Sequence, residues 1–372
     1  MGLGRSALES LAMNPSPAIW QEQSVLVTGH TGFKGAWLCL WLHQLGARVS
    51  GLALDPPTNP SLYQSAGVEG LLEVDLRADI RDLGATEAAI CQIRPTVIFH
   101  LAAQPLVNYG YEYPVETYAV NVMGTVHVLE AARKAGSVRA VVVVTTDKCY
   151  ENHEWVYPYR ETDPLGGFDP YSNSKACAEL VVSAYRSSFL QFEGIAVATA
   201  RAGNVIGGGD WAMGRLIPDC VRAFQSGKAL RLRYPQAVRP WQHILEPLSG
   251  YLLLAERLLG DEAAEFCEAW NFGPSVADSR AVGEVARLAA EAWGGTVEIM
   301  DVAPVHHEAG LLQLDSSKTR SRLSWQPRWS VEQAIRCLIE WYQAAEQQVA
   351  MQNLSLEMID RYVQSQREEV VR

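Results

Sequence analysis

Cysteine is sparse in this chain, and its spacing excludes two common uses of the residue. The seven cysteines are scattered along 372 residues, with no Cys-x-x-Cys pair and no spacing typical of a zinc site. Disulfide frameworks are typical of small secreted chains. We therefore expect reduced, mostly buried thiols in a cytoplasmic protein that binds no metal.

Long apolar runs and an excess of basic residues are also missing. No apolar stretch approaches the ~20 residues that cross a bilayer, and residues 1–20 lack the regions of a signal peptide. The net charge is −11 and the pI is about 5.3, which disfavours a nucleic-acid partner. We expect neither a membrane nor a nucleic acid to be a partner.

The sequence does contain an alternation of short apolar runs and helical patterns. The apolar runs that predict buried parallel strands lie at 24–28, 48–54, 97–101, 140–144 and 195–200. Helical periodicity follows several of them, as at 120–135 and 175–188. Strands that alternate with helices imply right-handed crossovers, and so predict an α/β fold with a Rossmann-like, doubly wound parallel sheet.

The alternation stops after Gly207, where glycines, prolines, arginines and tryptophans are interspersed. We predict a Rossmann domain over 19–204, to which 242–273 returns. A smaller C-terminal α/β substrate-binding domain would comprise 205–241 and 274–345. Residues 1–18 are expected to be a disordered extension, and 346–372 a C-terminal tail or helix.

A glycine-rich turn joins the first predicted strand to the next helix. Its residues are Gly29, His30, Thr31, Gly32, Phe33, Lys34 and Gly35. In a dinucleotide-binding turn the three glycines permit a tight turn, close approach of a pyrophosphate, and packing of helix on strand. The free N–H groups at the helix start then attract phosphate. The pattern indicates a dinucleotide site, and the alternative is a glycine-rich turn without a ligand.

Two acidic positions are candidates for the adenosine end of the dinucleotide. Asp55 ends the second strand, where an acid binds the ribose 2′-OH and favours NAD; the alternative is a surface Asp-Pro-Pro turn. No basic residue directly follows Asp55 to bind a 2′-phosphate, which also favours NAD. Asp79 and Ile80 form an acid–apolar pair that would hold the adenine, unless Asp79 is only a solvated charge.

A tyrosine and a lysine four residues apart suggest proton chemistry. Asp169-Pro170 is a typical helix entry, and it places Tyr171 and Lys175 on one helical face. An ammonium and a positive nicotinamide would lower the pKa of the phenol toward neutrality. Such a phenolate can remove a hydroxyl proton while hydride leaves the same carbon. Without the glycine turn, the pair would be ordinary surface residues.

Three functional side chains follow the predicted strand at 140–144. Thr146, Asp147 and Lys148 lie where the carboxyl ends of parallel strands face a ligand crevice. They could polarise a hydroxyl, deliver a proton and remove another. The alternative is a turn that caps the strand.

These motifs resemble the extended short-chain dehydrogenase/reductase superfamily, and within it the CDP-glucose 4,6-dehydratases. The resemblance runs from about residue 19 to 342, and its segments are 29–35, 101–107, 146–150, 239–243, 270–274 and 314–318. It implies a hydro-lyase that uses NAD to convert CDP-glucose to CDP-4-dehydro-6-deoxyglucose, an early step of deoxysugar biosynthesis. It also implies a homodimer or tetramer, with dimer contacts from helices near 120–135 and 171–188.

The resemblance also assigns roles to individual residues. It makes Tyr171 the base at the C4 hydroxyl, Lys175 its partner, Thr146 a hydrogen-bond donor to the C4 oxygen, and Asp147 the acid at C6. Lys148 stands where related dTDP-glucose enzymes have a glutamate that takes the C5 proton. A lysine can be that base only when neutral; otherwise it stabilises enolate charge. Further cofactor residues implied are Leu101, Ala102, Ala103, Gln104 and Asn121.

The substrate would bind to residues of the later segments. The resemblance places Asn204 and Arg239 at the phosphates of the nucleotide sugar, a task that suits the planar guanidinium. The remaining substrate-binding candidates are Gln104, Leu216, Arg231 and His243. For Arg231 and Arg239 the alternative is a surface salt bridge.

Two other functions stay open. A nucleotide-sugar 4-epimerase would share NAD, Tyr171 and Lys175, but it does not need Asp147 and Lys148. A regulatory protein that senses a dinucleotide without catalysis is disfavoured, because this chain keeps every candidate catalytic group.

Overall fold

The structure of the protein is a computed structural model, which describes residues 14–300 and 309–365. Of the predicted N-terminal extension, residues 1–13 lie outside the described residues, and Pro17 begins a short helix. Of the predicted tail, residues 366–372 lie outside them as well.

The helices and strands are as follows. The described strands are β1 (Ser24–Thr28), β2 (Arg48–Ala53), β3 (Val74–Arg77), β4 (Val97–His100), β5 (Ala140–Val144), β6 (Ala196–Ala202), β7 (Asn204–Ile206), β8 (Leu230–Leu232), β9 (Val238–His243), β10 (Ala269–Phe272), β11 (Ser279–Ala281) and β12 (Val297–Ile299). The described α-helices are α1 (Pro17–Trp20), α2 (Phe33–Gln44), α3 (Leu62–Ser65), α4 (Leu83–Ile93), α5 (Val107–Glu112), α6 (Pro114–Tyr118), α7 (Gly124–Ala135), α8 (Pro170–Ser188), α9 (Leu216–Gln225), α10 (Leu245–Leu259), α11 (Val282–Trp293), α12 (Ser317–Leu323), α13 (Val331–Glu346) and α14 (Met351–Gln364).

The predicted doubly wound parallel sheet is confirmed. Seven strands are arranged in the order β10-β6-β5-β4-β1-β2-β3, and every neighbouring pair is parallel. The chain order reverses between β1 and β4, and a crevice opens outside the carboxyl ends of the strands at such a point. The glycine-rich turn and the segment after β5 both lie at this edge.

Two apolar cores lie on the two faces of the sheet because alternate strand residues point in opposite directions. Val25 and Val27 of β1 belong to one core, together with residues of α2, α10 and α13. Leu26 belongs to the other, together with residues of α4, α7 and α8. The strands are therefore apolar on both faces, which explains their continuous apolar runs.

Two helices differ from the sequence prediction. The helix predicted over 120–135 begins as a single π turn at Ala119–Met123 before α7. Helix α8 begins at Pro170, five residues before the predicted periodic stretch, and Asp169 caps it by accepting a hydrogen bond from Ser172 N at 3.0 Å. The predicted helix entry at Asp169-Pro170 is thereby confirmed.

Two smaller sheets complete the described strands. One contains β11, β9 and β7, and the other pairs β12 with β8. Strand β10 comes late in the chain but joins the large sheet beside β6. The division into domains stays a prediction. No helix in the described part of the chain is long and apolar enough to cross a membrane.

Candidate active site

The glycine-rich turn is packed so closely that it needs glycine at two positions. Gly29 has φ +76°, and a Cβ there would lie 2.7 Å from Ala102 N. A Cβ on Gly35 would lie 2.2 Å from Gly29 O, so helix α2 packs directly on the turn. Gly32 caps α2 without a side-chain hydrogen bond, which leaves its first N–H groups open. The turn therefore fits a pyrophosphate.

The other residues of the turn have different contacts. His30 is buried, and its Nε2 lies 2.8 Å from Asp75 Oδ1. Thr31 Oγ1 donates to Leu54 O at 2.9 Å. Phe33 packs near Gly207, where a Cβ would lie 3.1 Å from its ring. The turn is thus fixed by side chains as well as by its glycines.

Lys34 was predicted only as part of the turn, but the structure places it near Asp147 and Lys175. Burial, together with the positive charges of Arg215 and Lys175, lowers the pKa of its ammonium to about 8. The negative charges of Asp147 and Asp210 act in the opposite direction. No sequence signal marked this position, because the glycines alone defined the motif.

At the predicted adenosine end, the structure changes the argument about Asp55. Its side chain is 90% exposed, and Arg77 Nε donates to Asp55 Oδ1 at 3.2 Å. Strands β2 and β3 pair Ala53 with Arg77, which brings this basic residue beside Asp55. The absence of a basic residue directly after Asp55 was therefore an incomplete reason to favour NAD, since the neighbour comes from the next strand.

Arg77 belongs to a network that the sequence did not predict. Asp75 also accepts from Arg77 and from the Tyr63 hydroxyl, and Arg77 Nη2 donates to Tyr63 OH at 2.9 Å. This network connects to His30 through Asp75. It became visible only when β3 was placed beside β2.

Asp79 and Ile80 lie just after β3. Asp79 Oδ1 accepts from Arg81 N at 2.8 Å and its Oδ2 from Arg81 Nε at 2.8 Å. These hydrogen bonds lower the pKa of the Asp79 carboxyl. The Ile80 side chain is buried against Gly124 of α7, where a Cβ would lie 2.4 Å from its Cδ1. The pair lies at the carboxyl edge of the sheet, which is the edge where the adenine was predicted to bind.

The segment after β4 lies over the turn. Leu101 N and Ala102 N donate to the carbonyl and hydroxyl oxygens of Thr28, at 3.1 and 3.2 Å. The half-buried Ala103 follows these two residues. Residues 101–104 are thus held at the same edge as the glycines.

Asn121 anchors the end of this segment. Gln104 N donates to Asn121 Oδ1 at 2.8 Å, and Asn121 Nδ2 donates to Gln104 O at 3.1 Å. Asn121 Nδ2 also donates to Ser174 Oγ at 2.8 Å. Its amide therefore ties the segment after β4 to helix α8.

Thr146 and Asp147 follow β5 and are both buried. Thr146 Oγ1 donates to Asp147 Oδ1 at 3.0 Å. Asp147 Oδ2 has no hydrogen-bond partner among the described residues. It faces Gly203, where a Cβ would lie only 3.1 Å away, so glycine keeps a side chain from pressing on this buried oxygen.

Burial raises the pKa of the Asp147 carboxyl above its usual value. The charges of Lys148, Arg239 and Lys34 act in the opposite direction, as does the hydrogen bond from Thr146. A carboxyl group with a raised pKa can hold a proton and deliver it to a leaving group. This is the property that a general acid needs.

Tyr171 and Lys175 lie one turn apart on α8, and both are buried. Burial raises the pKa of Tyr171 to about 12, although a hydrogen bond with Thr146 lowers it. Lys175 Nζ donates to Val144 O at 3.2 Å, and burial lowers the pKa of its ammonium to about 8. Thr146 thus acts on the Tyr171 phenol and donates to the Asp147 carboxyl.

Lys148 is half-buried beside these residues. Its backbone N–H donates to Thr146 Oγ1 at 3.4 Å, and its charge acts on Asp147. The position suits a group that acts on the reacting hexose, and it leaves both predicted roles of Lys148 open.

Three substrate candidates lie on elements next to this centre. Asn204 begins β7, which runs beside β9, and Leu216 begins helix α9; both side chains are half-buried. Arg239 is buried in β9, and its charge acts on Asp147. Asn204 and Arg239 adjoin Gly203 and Pro240, which lie together beside Asp147 Oδ2.

The structure does not bring Arg231 and His243 to the same place. The Arg231 side chain is 69% exposed on β8 and lies 3.8 Å from Glu298, as in the surface salt-bridge alternative. His243 is fully buried between Trp37 and Trp329, and its Nδ1 accepts from Leu245 N at 3.3 Å. Both are therefore left out of the substrate pocket that we assign, because one faces solvent and the other packs in the core.

Comparison with known proteins gives a consistent result. The model of the family described as GDP-mannose 4,6 dehydratase matches residues 26–338. The chain is 49% identical over 331 residues to the CDP-glucose 4,6-dehydratase of Salmonella typhimurium strain LT2, covering 87% of this chain and 92% of that protein.

Solved structures show the same fold. The dTDP-glucose 4,6-dehydratase of Streptomyces venezuelae with NAD bound has a TM-score of 0.74 and 26% identity, covering 87% of this chain and 98% of that chain. The UDP-glucose 4-epimerase of Thermus thermophilus, a complex with NAD, has a TM-score of 0.73 and 25% identity, covering 86% and 99%.

Proposed function

Because the chain belongs to the GDP-mannose 4,6-dehydratase family, we propose that it dehydrates CDP-glucose to CDP-4-dehydro-6-deoxyglucose with NAD as cofactor. The observation that carries the proposal is the buried chain Tyr171, Thr146 and Asp147, which joins a phenol to a carboxyl of raised pKa. The relative that is 49% identical and is named CDP-glucose 4,6-dehydratase supports the choice of substrate.

The turn at 29–35 and the segment at 101–104 would hold NAD. When bound, NAD supplies hydride chemistry, taking a hydride from C4 of the hexose and returning it to C6. Backbone N–H groups at the start of α2 suit its pyrophosphate, and Gly32 lets the backbone approach it, while Gly29 and Gly35 allow the tight turn and the packing of α2 on it. Lys175 would donate to the nicotinamide ribose.

Tyr171 would remove the proton from the C4 hydroxyl. Burial holds the free phenol in its protonated form, so the positive charges of Lys175 and the nicotinamide must offset that effect. Thr146 would donate a hydrogen bond to the C4 oxygen. The resulting C4 ketone acidifies the C5 hydrogen and makes loss of the C6 hydroxyl feasible.

Asp147 would then protonate the departing C6 hydroxyl through Oδ2, which has no hydrogen-bond partner among the described residues. Lys148 would either take the C5 proton or stabilise the enolate while another group takes that proton, and its place beside Asp147 serves both. The hydroxyl leaves as water, and C5 regains a proton when hydride is returned to C6. The cofactor ends as it began, so the net reaction is that of a hydro-lyase.

Arg239, Asn204 and Leu216 would line the nucleotide side, with Arg239 facing the diphosphate. Gln104 would contact both cofactor and hexose. No described contact selects cytosine, so the base preference rests on the relative alone.

The second candidate function is a nucleotide-sugar 4-epimerase, which the epimerase among the structural matches favours. The two reactions give different products from one substrate. The purified protein with NAD and CDP-glucose should form a 4-keto-6-deoxy sugar, seen by its absorbance in alkali. Formation of CDP-galactose instead would reject the dehydratase.

We also propose a cytoplasmic homodimer or tetramer. Apolar side chains are exposed at the start of α7, on α8 and just after α8: Met123 at 47%, Leu180 at 59% and Phe189 at 44%. An exposed apolar surface of this kind is typical of a protein interface. The seven free cysteines are compatible with a reducing compartment.

A further inference from the structure

Glu179 is a buried carboxylate that the proposed mechanism does not use. It lies on α8 one turn after Lys175 and two turns after Tyr171, and its side chain is 3% exposed. Its Oε1 accepts from Thr145 Oγ1 and from Arg201 Nε at 3.0 Å. Its Oε2 accepts from Thr199 Oγ1 at 2.6 Å and from Arg201 Nη2 at 2.9 Å. These four hydrogen bonds from Thr145, Thr199 and Arg201 are all accepted by the carboxylate of Glu179.

This carboxylate is connected to the catalytic segment through Thr145. Thr145 directly precedes Thr146, whose hydroxyl donates to Asp147. One residue earlier, Val144 O accepts from Lys175 Nζ. Helix α8 is thus attached to the end of β5 at two successive residues, by Lys175 and by Glu179.

Arg201 holds the other side of Glu179 with a bidentate pair. Its Nη1 also donates to Tyr150 OH at 2.8 Å and to Glu161 O at 3.2 Å. A buried ion pair is costly to desolvate and is a weak source of stability. We therefore look for a role of the Glu179–Arg201 pair in holding the site in its geometry rather than in stabilising the fold.

Glu179 also acts on Lys175 through its charge. The pKa of the Lys175 ammonium is lowered to about 8 because burial outweighs the negative charge of Glu179, which raises the pKa, as Cys149 does to a smaller extent. From other elements, Lys34 of α2 faces Lys175 with a positive charge, and His100 of β4 is neutral because burial lowers its pKa to about 3. Removal of the carboxylate charge would therefore let Lys175 lose its proton at lower pH.

From this geometry we propose that Glu179 is a positioning residue for the proposed reaction. It fixes the segment that carries Thr146 and Asp147 against α8, and it keeps Lys175 charged beside Tyr171. This inference rests on the proposed roles of Asp147, Tyr171 and Lys175, but not on the identity of the nucleotide.

The first test is Glu179→Gln in the full chain with NAD at saturation. We expect kcat to fall about tenfold or more, and the alkaline limb of its pH profile to move down by about one pH unit, as loss of a nearby opposite charge does. Glu179→Asp, which keeps the charge, should return the alkaline limb toward that of the wild type. A Glu179→Gln profile that coincides with the wild-type profile would overturn the inference.

A matched pair of variants separates positioning from stability. Thr145→Val and Thr199→Val each remove one buried hydrogen bond to Glu179, but only Thr145 adjoins the catalytic segment. Both should lower Tm, whereas kcat should fall for Thr145→Val and stay within about twofold for Thr199→Val. Equal losses of kcat would mean that the network is only structural. These variants also decide the question if Glu179→Gln does not fold.

The assay is run first on wild-type protein with the CDP, dTDP, UDP and GDP forms of glucose. If another nucleotide or an epimerised product is found, the proposed function fails, and the same variants are measured on that reaction. The positioning role fails separately, when the active reaction is indifferent to Glu179 and Thr145.

Discussion

Burial shifts the pKa of the ionisable side chains in the crevice. The shift is upward for acidic groups and downward for basic groups, because burial disfavours the charged form. It raises the pKa of Asp147 and that of Tyr171, the latter to about 12, and it lowers that of Lys175 to about 8. Burial thus favours the protonated forms of the carboxyl and the phenol, and it makes the lysine a weaker base than an exposed one. Such separation of an acid from a base is what general acid–base catalysis requires.

Asp147→Asn tests the acid. The variant should still oxidise C4 but stall before elimination, because the amide has no proton to deliver. Turnover should fall by about 10²- to 10⁴-fold, and the absorbance of reduced nicotinamide should accumulate in a single turnover. Asp219→Asn, at the surface of α9, is the control. Wild-type turnover in Asp147→Asn would assign the acid to another group.

Tyr171→Phe tests the base. Loss of the phenol should abolish turnover by removing the acceptor of the C4 hydroxyl proton, while NAD still binds in a calorimetric titration. Tyr185→Phe on the same helix should keep normal activity. If Tyr171→Phe keeps the turnover of the wild type, a group other than Tyr171 accepts the proton of the C4 hydroxyl.

The sequence suggested these residues as candidates, but it did not give their electrostatics. Thr146, Asp147, Tyr171 and Lys175 were found from strand-end position and helical spacing, and the structure brings them together. The expected lowering of the Tyr171 pKa is opposed by burial, and burial is a property of the packed fold rather than of the motif. For the same reason the sequence did not show that Arg231 faces solvent and His243 packs in the core, since a motif does not state which way a side chain faces.

At the scale of elements, helix α10 anchors segments outside the catalytic centre. Glu246 accepts from Arg328 N at 2.9 Å, Trp329 N at 2.8 Å and Tyr362 OH at 2.7 Å. It thereby holds α14, whose Tyr362 also packs against Trp41 of α2. The C-terminal helix is thus connected to the helix that follows the glycine-rich turn.

Glu246 predicts a pH dependence of stability. Burial raises its pKa to about 7, above the 4.5 of an exposed glutamate. The folded state therefore binds the proton more tightly, so this stability is present below pH 4.5 and is lost as pH rises through about 7. In Glu246→Gln the fall of Tm between these pH values should be smaller than in wild type. Burial also raises the pKa of Glu256 to about 7, so part of the dependence of Tm on pH should remain in Glu246→Gln. If this dependence is the same as in wild type, Glu246 is not its source.

The elements themselves were predictable to different degrees. Strands buried on both faces gave continuous apolar runs, which located β1, β2, β4 and β5 within one or two residues. The π turn at Ala119–Met123 and the small sheets were not predicted. The strands of the small sheets are three to six residues long and pair with distant segments, and local periodicity carries no information about such contacts.

At the scale of the whole molecule, the exposed apolar side of α7 and α8 predicts association of copies of this chain. Leu180→Glu should shift the protein to a smaller species in sedimentation, because it would bury a charge in the interface. Ile299→Glu, which changes a residue 72% exposed on β12, should leave the assembly unchanged. A monomeric wild type, or an assembly indifferent to Leu180, would place the interface elsewhere.

The central claim is that one hydride leaves C4 of the hexose and returns to C6 of the same molecule. The direct measurement uses CDP-glucose labelled with deuterium at C4, the purified protein with NAD, and product analysis by NMR. The account predicts a 4-keto-6-deoxy product that carries the deuterium at C6. Deuterium retained at C4 of a CDP-galactose product, or lost to solvent, would contradict it.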